Sequence, residues 1–375
     1  MTRYRHRAGE LLVHADDSAA IHAELAGFGY HPSGGAGPLR RFTGSRPVPE
    51  VLAALREPHR VAPNHLFGLD RIIWGDLRPK PTDDTLTPVP AGDVRHWAGV
   101  IDTGIVLRDR RPHEFLGERV HYDPEDTVRV VRGEDGNPVG SAGHGTFVAG
   151  VVLKQAGPDV GVRMKGVIDE RSGEAEDLAV ANAVDDLREE GVTLINLSFS
   201  GQTFEDRAPK AIEAALRRLS PDTVVVASAG NRGMRQRVHP AGIKLAPTVP
   251  GEVDDKHALV LPVGSADATR SPRVADFSNF GPWIAAYADG VDVVGPYFHA
   301  GYPVQPPEEE PKFNGYAVWS GTSFSAAIVT GRIAAVMATT GKSAREAARE
   351  VLDGADSITV SDVNGPIEVP RVQES

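Results

Sequence analysis

Beyond residue 94 the hydrophobic positions fall into two alternating patterns. Short apolar runs at 97–101, 162–167, 193–197, 223–227 and 259–263 read as strands. Between and after them, apolar residues three or four apart predict helices following His144 and over 174–190, 208–219, 323–338 and 343–352. A strand that is apolar at every position has no solvent face, so these runs predict a mainly parallel sheet with helices on both sides.

The first 66 residues are patterned differently. Residues 11–15 form a strand-like run, after which Asp17 can cap a helix carrying Ala20, Ile21, Ala23, Leu25 and Ala26 until Gly27 stops it. Residues 38–43 and 60–62 are further extended pieces, the latter ending at Pro63, and 48–55 is a short helix with Pro49 near its start. This strand and helix order predicts a small split βαβ unit. Residues 78–93, rich in Pro, Thr and Asp, read as a linker. The expected division is therefore an α+β domain over 1–77, a linker over 78–93, an α/β body over 94–358 and a C-terminal tail over 359–375.

Composition narrows the function classes. With 375 residues, 41% hydrophobic and 24% charged, the chain can bury one large core and a smaller one. No apolar run approaches the roughly 20 residues that a membrane span needs. The basic start, Arg3 to Arg7, is followed by no apolar stretch suited to export, because His14, Asp16 and Asp17 interrupt it; a cytoplasmic location is expected. The absence of cysteine rules out disulfides and thiol catalysis. A formal charge of −11 repels phosphate backbones and counts against a nucleic-acid partner. No zinc-ligand spacing is present, and Glu308, Glu309 and Glu310 between prolines read as a solvated loop.

Three segments carry the candidate chemistry. Asp102 ends an apolar strand between Gly99 and Gly104, at the carboxyl edge where open α/β sheets bind ligands. His144 lies between Gly143 and Gly145 at the start of an apolar helical stretch, Thr-Phe-Val-Ala-Gly-Val-Val. Ser323 follows Gly321-Thr and opens a helix of small residues, where free N–H groups and the positive end of the helix dipole collect. Each has a plainer reading: an Asx turn for Asp102, a satisfied histidine for His144, a helix cap for Ser323. Together a carboxylate, an imidazole and a hydroxyl fit nucleophilic serine catalysis, with a neutral imidazole near pH 7 as the base.

These segments resemble those of the subtilisin-like serine proteases, the subtilase family, which carries its triad in the order Asp, His, Ser. The likeness extends over roughly 94–338. Residues 194–201, Leu-Ile-Asn-Leu-Ser-Phe-Ser-Gly, resemble the family's substrate-binding strand, and 276–281, Asp-Phe-Ser-Asn-Phe-Gly, a turn found in most members. Residues 224–233, Val-Val-Val-Ala-Ser-Ala-Gly-Asn-Arg-Gly, resemble its oxyanion segment. The resemblance implies a subtilisin-like three-layer α/β fold with a mainly parallel central sheet, preceded by a small α+β, ferredoxin-like prodomain-like unit.

It also implies roles. Ser323 matches the nucleophile, His144 the general base, Asp102 the orienting carboxylate and Asn231 the oxyanion donor. Ser198, Phe199, Ser200 and Gly201 would pair with an extended substrate as an added strand, and Ala229 and Gly230 would wall the pocket, with Arg232 at its rim. Three positions depart from the family: Ala327 where proline is frequent, Ile328 after it, and Ser200 where glycine is usual. Ser200 and Arg232 together point to a pocket that accepts a polar or acidic residue. No cofactor is required by such chemistry; calcium sites in the family vary in sequence, and none is assigned.

The implied activity is a serine endopeptidase with a restricted protein or precursor-peptide substrate. The rival from another class is a non-catalytic peptide-binding module on the same fold, against which stands the intact set of Asp102, His144, Asn231 and Ser323. A Glu-Asp-Ser acid protease would need a carboxylate at 144. The N-terminal unit resembles the propeptides that chaperone and inhibit subtilases, with Val61-Ala-Pro-Asn-His65 resembling the end of such a segment. The chain's own N-terminal domain is thus expected as an intramolecular inhibitor, with a processing site in or beside the linker.

Overall fold

A computed structural model describes residues 4–69, 78–128, 141, 143–245, 256–269, 272–299, 313–361 and 365–374. The glutamate run at 308–310 lies outside the described residues. Seven α-helices are present among them: α1 (Ala15–Gly27), α2 (Val48–Ala54), α3 (His144–Ala156), α4 (Asp177–Glu189), α5 (Lys210–Leu216), α6 (Thr322–Thr340) and α7 (Ala344–Asp353).

The apolar runs form the middle of a ten-stranded sheet. Its order is Asp356–Val360, Ile367–Val372, Ala286–Asp289, Leu259–Asp267, Val224–Ser228, Leu194–Leu197, His96–Asp102, Val160–Gly166 and Val120–His121, with Arg273–Val274 beside Leu259–Asp267. From Ile367–Val372 to Val120–His121 every pairing is parallel. Side chains alternate between two buried faces. Leu194, Val224 and Val226 pack with α3 and α6. Ile195, Leu197, Val225 and Ala227 pack with α4 and α5 on the other side. Helix α6 is apolar on most sides because it is a core helix: by length and composition it could cross a membrane, but 72% of that stretch is buried inside the molecule.

The N-terminal unit forms an antiparallel sheet in the order Val61–Gly68, His6–His14, Leu39–Thr43, His31–Ala36, with α1 and α2 on one face. Leu11 and Val13 join Ile21, Leu25, Val48 and Val51 in a core of its own, whereas Leu12 and Leu39 face the other way, into the α4 and α5 core. Two details differ from expectation. The strand runs into α1 without a loop, so the cap is His14, whose Nδ1 accepts from the Asp16 N–H at 3.4 Å; Asp17 lies inside the first turn and pairs with Arg60 at 2.8 Å. The piece His31–Ala36 is a strand despite Pro32, Gly34 and Gly35, because it pairs at an edge where a missing donor is tolerated.

Two further expectations are corrected in the body. The helix over 174–190 begins only at Asp177; Glu174–Glu176 is a strand antiparallel to Val61–Gly68, an arrangement set by a partner more than a hundred residues away. The segment expected as a tail over 359–375 supplies the hairpin Asp356–Val360 and Ile367–Val372 to the sheet, with Ile358, Val360 and Val369 buried near Tyr287 and Arg371 held by both carboxylate oxygens of Asp289 at 2.9 and 2.6 Å. Its alternation is too short to stand out, and Pro370 argues against an inner strand. Ile358→Ala is expected to cost about 2–4 kcal/mol in chemical denaturation, as a buried aliphatic truncation; a change below about 0.5 kcal/mol would mean that the hairpin is dispensable.

Residues 78–93 are extended and attached to the body. Lys80–Pro81 pairs with the strand Asn314–Trp319, the Tyr316 hydroxyl donates to Leu86 O at 3.0 Å, and the Gly92 N–H donates to Pro158 O at 3.0 Å.

Candidate active site

Asp102 and His144 are brought together at the carboxyl edge of the sheet by a strand end and a helix start, and Ser323 opens a second helix whose next residue, Phe324, packs on the imidazole. Asp102 is fully buried and closes the strand His96–Asp102. Gly104 turns the chain there with φ of 99°, a region that favours glycine. One carboxylate oxygen accepts from the Thr103 N–H at 2.7 Å, and both face His144 Nδ1, at 2.8 and 2.9 Å.

The start of α3 is pressed against this turn. The Gly145 N–H donates to Thr103 Oγ1 at 2.9 Å, and the Val106 N–H donates to Thr146 Oγ1 at 2.9 Å. A Cβ on Gly145 would lie 2.5 Å from Gly104 O, and one on Gly143 would lie 2.1 Å from the Tyr297 ring. The glycines flanking His144 are therefore required by close approach. An ionised carboxylate only accepts, so Nδ1 carries the proton and Nε2 is left as the basic nitrogen. The imidazole is 4% exposed and packs edge-on to Trp319, with ring centroids 5.3 Å apart, and against Phe324 at 5.6 Å.

Ser323 lies in the first turn of α6, with a hydroxyl that donates to Ser198 O at 3.1 Å, while Ser198 Oγ donates back to Ser323 O at 3.1 Å. Helix α6 is thus stitched to the segment that continues the strand Leu194–Leu197. Beneath this pair runs a buried polar chain: Asn196 Nδ2 donates to Ser198 Oγ at 2.7 Å, and the Thr330 hydroxyl reaches Asn196 Oδ1 at 3.1 Å and Ala326 O at 2.8 Å. Among the described residues the imidazole's hydrogen bonds go to Asp102 and the Ser323 hydroxyl's to Ser198, so general-base activation requires that hydroxyl to rotate towards Nε2.

Asn231 is oriented by the residue before the serine. Its Oδ1 accepts from both the N–H of Thr322, at 2.9 Å, and the Thr322 hydroxyl, at 2.8 Å. Two donors on one atom identify it as the oxygen, so the amide nitrogen faces away, 3.6 Å from where a side chain on Gly321 would begin. Asn279 braces the same loop: its Nδ2 donates to Ala229 O at 2.7 Å, and its Oδ1 accepts from the N–H groups of Arg232, at 3.2 Å, and Met234, at 3.0 Å. Gly230 N–H donates to Thr322 Oγ1 at 3.1 Å.

Of the segment 198–201, Phe199 points into the core at 1% exposure, and Ser200 offers its backbone edge. That edge is occupied. Ser200 and Gly68 exchange two backbone hydrogen bonds, both 3.0 Å, and Gly201 exchanges two with His239, both 2.9 Å. Ser228 Oγ donates to Phe199 O at 3.4 Å, tying the segment 198–201 to the strand that leads into Ala229 and Gly230; Arg232, half-buried, follows Asn231. Sequence reasoning missed Thr322, Asn196, Thr330 and Asn279 as supports. Asn196 and Thr330 were detectable as lone polar residues in apolar runs, since buried polar groups need partners and these two partner each other.

Known proteins give this geometry a family. The chain is 28% identical over 280 residues to the thermophilic serine proteinase of Bacillus sp. (strain AK1), covering 72% of this chain and 59% of that protein. It is 27% identical over 250 residues to thermitase of Thermoactinomyces vulgaris, covering 63% and 77%. The fold matches that of fervidolysin from Fervidobacterium pennivorans, a keratinolytic enzyme related to subtilisin, with a TM-score of 0.64 at 17% identity over 99% of this chain and 61% of that one. The chain thus spans about 60% of the Bacillus proteinase and of fervidolysin. Residues 98–357 match the model of the subtilase family, Peptidase_S8, and the chain belongs to that family.

Proposed function

We propose that this chain is a serine endopeptidase working through an acyl-enzyme. Ser323 Oγ attacks the substrate carbonyl while His144 Nε2 takes its proton; Asp102 keeps Nδ1 protonated and stabilises the imidazolium. The alkoxide is bound by Asn231 Nδ2 and the Ser323 N–H, His144 protonates the leaving amine, and water then releases the acid. The reaction as proposed uses only these groups and water. The observation that carries the reading is the two-oxygen clasp of Asp102 on His144 Nδ1, which leaves Nε2 as the basic nitrogen.

Rapid-quench kinetics with an activated ester test it: a burst of released alcohol equal to the enzyme concentration is expected, and a burst-free trace at every pH from 6 to 9 would refute an acyl-enzyme. The rival, a fold kept for peptide binding, draws on the Ser323 hydroxyl bonding to Ser198 instead of His144; it predicts no burst. Asn231→Ala should lower kcat by about 10²–10³ with little change in KM, the scale measured for the equivalent change in subtilisin. Thr322→Val, which removes one of the two donors fixing the amide, should lower it less.

The N-terminal unit is proposed as an intramolecular inhibitor and folding aid. Support comes from its seat: Phe67 and Gly68 lie along the substrate strand, Arg5 and Arg7 pair with Glu174 and Glu176, and Asn64 Oδ1 accepts from the Leu178 N–H at the start of α4 at 3.4 Å. In the cytoplasm, where we propose that it acts, such an enzyme needs a restricted substrate, for which a precursor peptide or partner protein is suited.

A further inference from the structure

We infer that Glu174 selects substrates carrying lysine or arginine at the third residue before the broken bond. The inference rests on the proposed peptidase reading and adds to it a specificity-determining residue and a substrate class.

Strand register carries the argument. The end of the strand Val61–Gly68 lies between two neighbours: Gly68 pairs with Glu174 on one side and exchanges two backbone hydrogen bonds of 3.0 Å with Ser200 on the other. Both pairings are antiparallel, so a substrate strand in the same seat steps back from Ser200 towards Ser198 as it runs forward. The substrate residue opposite Ser198 presents its carbonyl to Ser323, whose hydroxyl donates to Ser198 O at 3.1 Å. The residue opposite Ser200, in the place of Gly68, is two positions earlier and lies opposite Glu174.

Residues opposite each other in an antiparallel pair project to the same face. Phe67 and its partner Ala175 point inward and are buried, with the Phe67 ring 6.3 Å from that of Phe199. One step on, Gly68 and Glu174 therefore share the outer face. A cation already lies on it. A Cβ on Gly68 would come 2.6 Å from Arg5 Nη2, and Arg5 Nη1 pairs with the Glu174 carboxylate.

Arg5 does not belong to the seated strand. Its carbonyl accepts the Leu66 N–H at 3.0 Å on the edge that also faces Ser200, away from Glu174. Its side chain reaches the carboxylate by crossing over the strand at Gly68, the one step with no side chain in the way. The N-terminal unit thus keeps glycine in the seat and supplies the charge from next door. A substrate strand that displaces this unit has no Arg5 beside it, and the charge that meets Glu174 must come from its own residue at that position. Lysine or arginine there faces an opposite charge, whereas an acid directly opposite Glu174 is repelled, so the same carboxylate attracts one class and rejects the other. The formal charge of −11 also draws basic peptides to the molecule.

The test is cut-site mapping by mass spectrometry after incubating the full wild-type chain with a mixed peptide library, with fluorophosphonate labelling of Ser323 in parallel. Lysine and arginine should be enriched at the third residue before the cut. The fastest-cut peptide, resynthesised with Arg, Gly or Glu at that position, should give kcat/KM falling in that order. Each step should be about fivefold at low salt, the upper range for a partly exposed pair, and should shrink in high salt. Glu174→Arg should reverse the order, whereas Glu176→Gln, which changes the carboxylate paired with Arg7, should keep it. Where the variants fold poorly, the peptide series on the wild type decides alone. A labelled enzyme that cuts no peptide with a basic residue there, or cuts all three at equal rates, overturns the inference and leaves the peptidase reading standing; the Arg5 pair then serves only to dock the N-terminal unit. A chain that neither labels nor cuts overturns both.

Discussion

Ser323→Ala is expected to lower kcat for peptide hydrolysis by about 10⁶, the scale recorded when the nucleophile of subtilisin is removed. The size follows from what the hydroxyl supplies. Without Oγ no ester forms, the imidazole of His144 has no proton to take, and only binding and the oxyanion donors remain. The effect should also be non-additive: Ser323→Ala/His144→Ala should be about as slow as either single variant, because the two groups act in one proton transfer. Burial limits side effects on folding, since an alanine in the first turn of α6 keeps its backbone bonds and loses only the link to Ser198 O. Steady-state kinetics on the same peptide, with thermal melts alongside, check this; a double variant many orders slower than the singles would mean that the residues act independently.

Asp102→Asn should lower kcat by about 10⁴ near neutral pH while leaving the fold intact. The carboxylate accepts from His144 Nδ1 and from the Thr103 N–H. An asparagine can keep the bond from Thr103 through its oxygen, but its amide then presents N–H groups to the imidazole. The ring responds by placing its proton on Nε2, where it cannot serve as a base towards Ser323. The loss should appear in kcat with KM nearly unchanged, since Asp102 touches no substrate. A variant within tenfold of wild type would show that the carboxylate does not set the tautomer.

The three candidate residues were legible because each announces itself locally. Asp102 sits at the end of an apolar strand, His144 sits between glycines whose missing side chains are needed by Gly104 and Tyr297, and Ser323 follows Gly321-Thr at the start of a helix of small residues. The core strands were legible for a related reason: a run such as Val224–Ser228, buried on both faces, has no position to spend on a polar residue. What stayed hidden was set by partners distant in the chain. Glu174–Glu176 reads as the first turn of α4 until Val61–Gly68 arrives beside it. The closing hairpin is stabilised by Tyr287 and by Asp289, the latter 82 residues before its partner Arg371, and its own alternation is brief.

Support residues were hidden for another reason. Thr322 looks like one more small polar residue before a helix, yet its N–H and hydroxyl fix the orientation of the Asn231 amide. The pairing of Gly68 with Ser200 was likewise invisible in composition: only the register of two antiparallel pairings reveals it.

The most direct measurement is mass-spectrometric localisation of a fluorophosphonate adduct on the full-length wild-type chain and its His144→Ala variant. The account predicts a single adduct on Ser323 in the wild type, formed at least a thousandfold more slowly when the imidazole is gone. An adduct spread over several serines, or equal rates in both proteins, would contradict it.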